Sequence, residues 1–214
     1  MRREKLVEGE IYHICNKSIA NFGIFNDIKN GYRFLYTLDY YNNQLVKTSF
    51  SDYINIKGSY EYDNVLFPRE NSYLKFLGFC IMPDHYHLLV KILISDFSKY
   101  ISKVENSYSK FFNAKFKRKG PLWQSRYRSV WIKSNEQLLH VHRYIHLNPT
   151  SSGLTKYPEE WILSSYKDFI KNPEFLNEKI KEISISNPVK YKKFVEEQRD
   201  YQKRLKQIKN LLLE

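Results

Sequence analysis

The pattern of this chain predicts an α+β fold: a ferredoxin-like antiparallel sheet with helices packed on one face, followed by a C-terminal helical extension. Three observations carry that expectation. Runs rich in strand formers at 10–17, 73–81, 85–94 and 127–133 alternate with segments of helical period. The resulting order is strand, helix, strand, strand, helix, strand, helix, which is a split βαβ arrangement. The second and third runs are separated only by Met82-Pro83-Asp84, a turn that makes them an antiparallel hairpin.

Each element has a local signal. The first strand carries Ile11, Tyr12, His13 and Ile14. Asn26 or Asp27 is placed to cap the first helix, and Tyr32, Leu35, Tyr36 and Leu38 give it an apolar face. Residues 44–72 lack a clean period and read as an insertion or loop with a short hairpin. Ser95 or Asp96 caps a long helix that ends near Lys117, where positive charge, Gly120 and Pro121 stop it. Ser134 caps the next helix, with Glu136 in its first turn and Asn148-Pro149 as its close. Residues 161–170 read as a short packing helix. The tail carries Phe194, Tyr201, Leu205, Ile208 and Leu212 at heptad-like spacing, a seam for its own domain or for a second copy. The expected division is a domain over 1–171 and a charged helical extension over 172–214.

Composition narrows the class of partner. Lysine and arginine number 35 against 23 acidic residues, a net charge of +12, which favours a polyanion such as nucleic acid. Eighteen Tyr and 14 Phe suit both core packing and base stacking. Cys15 and Cys80 are the only cysteines, with no CxxC, so neither a disulfide framework nor a zinc finger is implied. No apolar leader or membrane-length apolar run is present, and the expected setting is the cytoplasm, with no membrane partner.

The segment Met82-Pro83-Asp84-His85-Tyr86-His87-Leu88-Leu89-Val90 carries the chemistry. On a strand, residues two apart share a face, so His85 and His87 aim two imidazoles at one point, as a divalent metal requires. On the helix after Ser134, a turn of 100° per residue brings Leu138, Val141 and Ile145 within about 60° as the core face. Tyr144 and Asn148 lie about 40° from each other at one margin, and His142 and His146 lie at the other, roughly 160° from Tyr144. A phenol can attack phosphorus, and an amide oxygen can ligate a hard metal. The spacing alone leaves two polar pairs open, and H-x-x-x-H also suits a zinc hydrolase, although Arg143 stands where that motif needs Glu.

Four motifs then resemble one family. Residues 82–90 resemble the M-P-N-H-x-H-L-L signature of single-tyrosine HUH transposases. Gly120-Pro121-Leu122-Trp123-Gln124-Ser125-Arg126-Tyr127-Arg128-Ser129 is similar to G-x-L-W-Q-x-R-[FY]-x-S. Arg143-Tyr144-Ile145-His146-Leu147-Asn148-Pro149 with Gly153-Leu154 is similar to R-Y-I-H-L-N-P-V-x-A-G-L, and Trp161 to Tyr166 resembles W-x-x-S-S-Y. Tyr12-His13-Ile14-Cys15-Asn16-Lys17 is a looser likeness to Y-H-V-x-N-R-G. The chain departs from the family at Asp84 for Asn, at Lys17-Ser18 for Arg-Gly, and at Thr150-Ser151-Ser152 for V-x-A.

The resemblance implies an HUH endonuclease-like sheet and a single-stranded DNA nicking and joining enzyme that forms a 5′-phosphotyrosine. It implies His85, His87 and Asn148 as ligands of Mg²⁺ or Mn²⁺, and Tyr144 as the nucleophile. Tyr108, in a stretch similar to the family's Y-x-x-Y-F-N, is the rival nucleophile. Lys110, Lys115, Lys117, Arg118, Lys119, Arg126 and Arg128 are candidates for phosphate contacts, and Trp123 and Tyr127 for base stacking. The expected partner is single-stranded or hairpin DNA, with a homodimer allowed by the tail. The alternative is a domesticated protein that binds DNA or RNA hairpins without cutting.

Overall fold

The computed structural model describes residues 6–62, 64–94, 96–172, 182–185 and 187–211, the last five by backbone only. Four strands form one antiparallel sheet: β1 Ile11–Lys17, β2 Leu74–Ile81, β3 His85–Ile92 and β4 Arg128–Ile132. Their spatial order is β2-β3-β1-β4, with both central strands in the middle, as the split βαβ order requires. β1 and β3 run in a register that sets Cys15 opposite His87 and Lys17 opposite His85.

Helices α1 (Ile28–Tyr41) and α3 (Phe97–Lys115) are the two crossovers. Both lie on one face of the sheet. Tyr86 of β3 packs its ring 5.1 Å from Phe34 of α1 and donates its hydroxyl to Glu105 of α3. Phe34, Tyr86, Tyr100 and Tyr108 are fully buried there, each burial worth about 2–3 kcal/mol. Neighbours on a strand point to opposite faces, so His85 and His87 look away from this core. Helix α4 (Asn135–Ser151) covers part of that second face, so the expectation of a single helical face holds for the crossovers and not for α4.

Two caps follow the sequence, whereas Asp96 at the start of α3 makes no side-chain capping bond and Ser95 lies outside the described residues. Asp27 accepts from the Lys29 amide at the start of α1, and Ser134 accepts from the Gln137 amide at the start of α4. Asn148-Pro149 does not close α4, which runs on to Ser151. A proline in the last turn removes one amide donor, and Ser152 and Leu154 still bond to the carbonyls of Asn148 and Pro149. Asn148 therefore stays helical, one turn after Tyr144.

The segment 44–72 holds a helix, α2 (Phe50–Lys57), instead of a hairpin. Ser49 caps it by accepting from the Asp52 amide, and Gly58 ends it with φ of +78°, a left-handed value that suits glycine. Ser49-x-x-Asp52 was the readable signal. The region 161–170 is likewise not one helix. A short 3₁₀ turn at Pro158–Glu160 precedes α5 (Tyr166–Lys171), and Trp161 donates its indole N–H to the Ile81 carbonyl instead.

The extension forms two helices, α6 (Pro188–Glu196) and α7 (Arg199–Leu211), not one continuous seam. α6 docks through Tyr191 and Val195, both fully buried and one turn apart. Phe194 lies under the Arg143 guanidinium at 4.5 Å, while Tyr201 and Leu205 are exposed. The Ile208 and Leu212 side chains fall outside the described residues.

Candidate active site

On the second sheet face, His85 and His87 of β3 stand side by side with ring centroids 5.0 Å apart and planes at 89°. Each ring is held by its Nδ1. That of His85 meets the Asp84 carboxylate at 2.5 Å, and Asp84 is also paired with Lys17 at 3.3 Å. Burial works to raise the Asp84 carboxyl, but His85 and Lys17 outweigh it and hold the group below the usual carboxylate range. Asp84 and Lys17 are both departures from the family pattern, and they lie across the β1–β3 pair as one another's counter-charge. His87 meets Nε2 of His13, on β1, at 2.9 Å, with the two rings stacked at 5.1 Å.

His87 is buried, and its Nε2 has no hydrogen-bond partner. Burial holds its pKa well below the ordinary histidine range, with His85, His13 and Lys206 adding to the effect. Burial also takes His13 down to about 4. Both rings are therefore neutral near pH 7, the state in which an imidazole nitrogen ligates a metal.

Tyr144 reaches this point from α4. Its ring lies edge-on to His87 at 5.6 Å and to His13 at 6.3 Å. It is 44 % exposed, so a ligand in solution can reach it. Burial around the hydroxyl raises its pKa above the ordinary phenol value. The Asn148 amide opposes that shift, although its buried Nδ2 completes no hydrogen bond of normal geometry. The Asn148 oxygen accepts from Lys206 of α7 at 3.3 Å, and the same ammonium reaches Ser152 at 2.5 Å.

Two cavities open beside the pair. One, of about 200 Å³, is lined by His85 and His87 together with Lys17, Gln124, Ser125 and Arg128. A second, of about 430 Å³, lies between His85, the end of α4 and Lys206. Sequence reading missed His13, Cys15 and Lys206. His13 and Cys15 were visible in principle, because they alternate with the core residues Tyr12 and Ile14 along β1. Lys206 carried no local signal, since its place depends on how the tail folds back.

The rival residues fall elsewhere. Tyr108 is fully buried on the opposite face, donates to the Ile24 carbonyl at 3.0 Å and is raised above the phenol range by burial. His142 and His146 are completely buried on the far side of α4, and all four of their nitrogens are engaged. No lone pair remains there for zinc.

The basic candidates divide. Arg128 lines the cavity at the histidine pair. Lys110 and Lys115 instead line a groove between α2 and α3, and Lys115 binds Asp27 and Asn30. Arg118 is spent on Asn113 and the Pro121 carbonyl. Lys117 and Lys119 lie in the turn after α3, Lys117 with φ of +49°. Arg126 lies on the approach to β4, after the Ser125 that lines the cavity. Trp123 is half-buried: it packs against Phe25, Phe34 and Tyr86 and donates to the Glu105 carbonyl, so its indole lies against the core. Tyr127 packs edge-on to Phe97 at 5.1 Å.

A split βαβ sheet with an imidazole pair on its open face, met by a tyrosine from a following helix, defines the class of protein. The comparisons agree. Residues 68–148 match the model of the family described as transposase, IS200-like. A Haemophilus influenzae protein named as a REP-associated tyrosine transposase is 26 % identical over 139 residues, covering 58 % of this chain and 75 % of that protein. The structure of a REP-associated tyrosine transposase bound to a REP hairpin superposes with a TM-score of 0.53 at 17 % identity, covering 79 % of this chain and 84 % of the other. That likeness establishes the fold. The resemblance read from the sequence is borne out: this chain is similar to the IS200-like and REP-associated tyrosine transposases. Among the described residues no helix is long and apolar enough to cross a membrane.

Proposed function

We propose that this chain is a metal-dependent nuclease and strand transferase of single-stranded or hairpin DNA, with Tyr144 as nucleophile. The observation that carries the reading is the meeting of Tyr144 with His87, whose buried Nε2 lacks a partner. An orphaned buried nitrogen is costly unless something binds it. The imidazoles of His85 and His87 and the Asn148 amide oxygen form a nitrogen and oxygen donor set for a divalent ion, Mg²⁺ or Mn²⁺ by resemblance to the family. His85, His87 and Asn148 would hold the ion, which supplies Lewis-acid polarisation of the scissile phosphate.

The chain's own residues supply the rest. The Tyr144 oxygen forms a bond to phosphorus as the bond to the 3′ oxygen breaks. The phenol loses its proton, the 3′ oxygen gains one, and a 5′-phosphotyrosine remains. Because the ester conserves the bond, a second 3′ hydroxyl can reverse the step and join strands. Arg128 and Lys17 flank the cavity beside the pair and can neutralise the phosphates on either side of the cut. The hairpin bound by the structural relative supports hairpin DNA as the substrate form.

The test is incubation with single-stranded and hairpin DNA in Mg²⁺ or Mn²⁺, followed by a denaturing gel. The full chain gives a covalent adduct and Tyr144→Phe gives none. An adduct that persists in Tyr144→Phe would sink the assignment. The contact between Lys206 and Asn148 favours a second reading, hairpin binding without cleavage, in which the ammonium keeps the amide oxygen from a metal. Hairpin binding with no adduct in any divalent metal is the result that reading requires.

A further inference from the structure

We infer that His13 and Asp84 are positioning residues that fix His87 and His85, respectively, in the tautomer whose Nε2 is free. The inference rests on the metal-dependent reading above and adds to it the groups that aim the ligands.

A carboxylate only accepts, so the contact between Asp84 and His85 puts the ring proton of His85 on Nδ1. In the neutral ring Nε2 is then a bare lone pair. Between His13 Nε2 and His87 Nδ1 there is room for one proton, and it can sit on either ring. If it sat on His13, the proton of neutral His87 would be on Nε2, as a buried N–H with nothing to accept it. Orphaned buried N–H groups are rare, because they keep the whole desolvation cost. If it sits on His87, Nε2 is a lone pair, which is the one form that a cation satisfies.

The two imidazoles thus use the same atom plan with different supports. His85 leans on the residue before it, and His87 leans across the ladder on the neighbouring strand. Metal-binding histidines are commonly oriented through their other nitrogen in this way. His13 and Cys15 also form, with His87, a group of three donors within 4.8 Å, which admits a different arrangement with the metal on a thiolate. That arrangement would leave Nε2 of His87 still unsatisfied if Nδ1 were the ligating atom.

Two measurements on the full chain test the inference. The first is nitrogen NMR of histidine-labelled protein without metal. Wild type should show Nδ1 protonated and Nε2 bare on both His85 and His87. A proton on Nε2 of His87 would overturn the inference with no reference to catalysis. The second is Mn²⁺ affinity from the free-ion electron paramagnetic resonance signal. His13→Ala and Asp84→Ala should each weaken binding about 10–100-fold, the usual effect of losing such a support. His13→Gln and Asp84→Asn keep an oxygen acceptor for the Nδ1 proton and should recover most of the affinity. Cys15→Ser should bind as wild type.

Unchanged affinity in the two alanine variants, or no recovery in the conservative ones, removes the positioning role while leaving the metal reading intact. A site that collapses in Cys15→Ser places the metal on the thiolate and overturns the inference. Wild type that binds no divalent ion removes the metal reading and the inference together.

Discussion

Two histidine pairs face opposite ways from the same neighbourhood, and they illustrate how context decides what an imidazole does. His85 and His87 are tied by Nδ1 alone, and Nε2 of His87 meets no partner. His142 and His146 are tied at both nitrogens. The Phe79 amide donates to the Ser165 hydroxyl, which bonds His146 Nε2. His146 Nδ1 bonds the Tyr191 hydroxyl, which bonds His142 Nδ1, and His142 Nε2 donates to the Leu77 carbonyl. With one proton per link the chain closes with both rings neutral. The first pair keeps a buried nitrogen without a partner, and the second is a finished latch that fixes α6 and β2 to α4.

The largest effect should separate the pairs by function. His87→Ala should lower adduct formation by about 10³-fold, the rate equivalent of several kcal/mol of charge stabilisation at phosphate. Its melting temperature should fall less than that of a variant in the second pair, since only the bond to His13 is cut. His142→Ala should do the reverse. It strands Tyr191 and the Leu77 carbonyl and should cost about 3 kcal/mol, or roughly 6–12 °C in melting temperature. Adduct yield at 20 °C should stay within a few-fold. If both variants fail in the same assay, the distinction drawn between the pairs is wrong.

The latch was half legible in the sequence. A wheel count put His142 and His146 on the margin away from Tyr144, and that is where they lie. Nothing local announced Tyr191, because its hydroxyl arrives from 45 and 49 residues away, after the tail turns back. The sheet order was legible because strand periods and one tight turn leave few topologies. The HUH strand was legible because a period of two fixes the face. His13 was missed because a pairing register, not a spacing, brings it to His87. The place of the lysines was hidden for a related reason: charge shows in sequence, but the face of α3 that carries Lys110 is set by packing against α2.

The latch also sets a pH dependence. Burial lowers His142 to about 4 and takes His146 well below the usual range. A base depressed in the fold takes up protons more readily when unfolded. Stability is therefore complete above the unfolded pKa near 6.5 and falls as pH drops from 6.5 towards 4. Denaturant titrations between pH 7.5 and 5 should show this fall, and His142→Gln should flatten it by up to one proton's worth of slope. An unchanged slope would mean that His142 does not stay neutral in the fold.

A smaller test reaches the latch from β2. A Cβ added at Gly78 would sit 2.8 Å from His142 Nε2, closer than side chains tolerate. Gly78→Ala should cost about 1–3 kcal/mol as the imidazole is pushed off the Leu77 carbonyl. Full stability would show that the ring can retreat, and that the latch is looser than its hydrogen bonds imply.

The smallest effect concerns how the open pair meets its substrate. Arg128 lines the cavity at His85 and His87, whereas Lys110 lies on the helical face across the sheet. If DNA is drawn along the open face, Arg128→Ala should reduce the salt dependence of binding by about one counterion, and Lys110→Ala should leave it unchanged. The two substitutions remove the same charge, so net charge alone predicts equal slopes. Equal loss in both would mean that the long-range field of this basic chain, and not the cavity beside the histidines, holds the DNA. A larger loss in Lys110→Ala would move the main DNA track to the groove between α2 and α3, and the 44–72 segment would then line it.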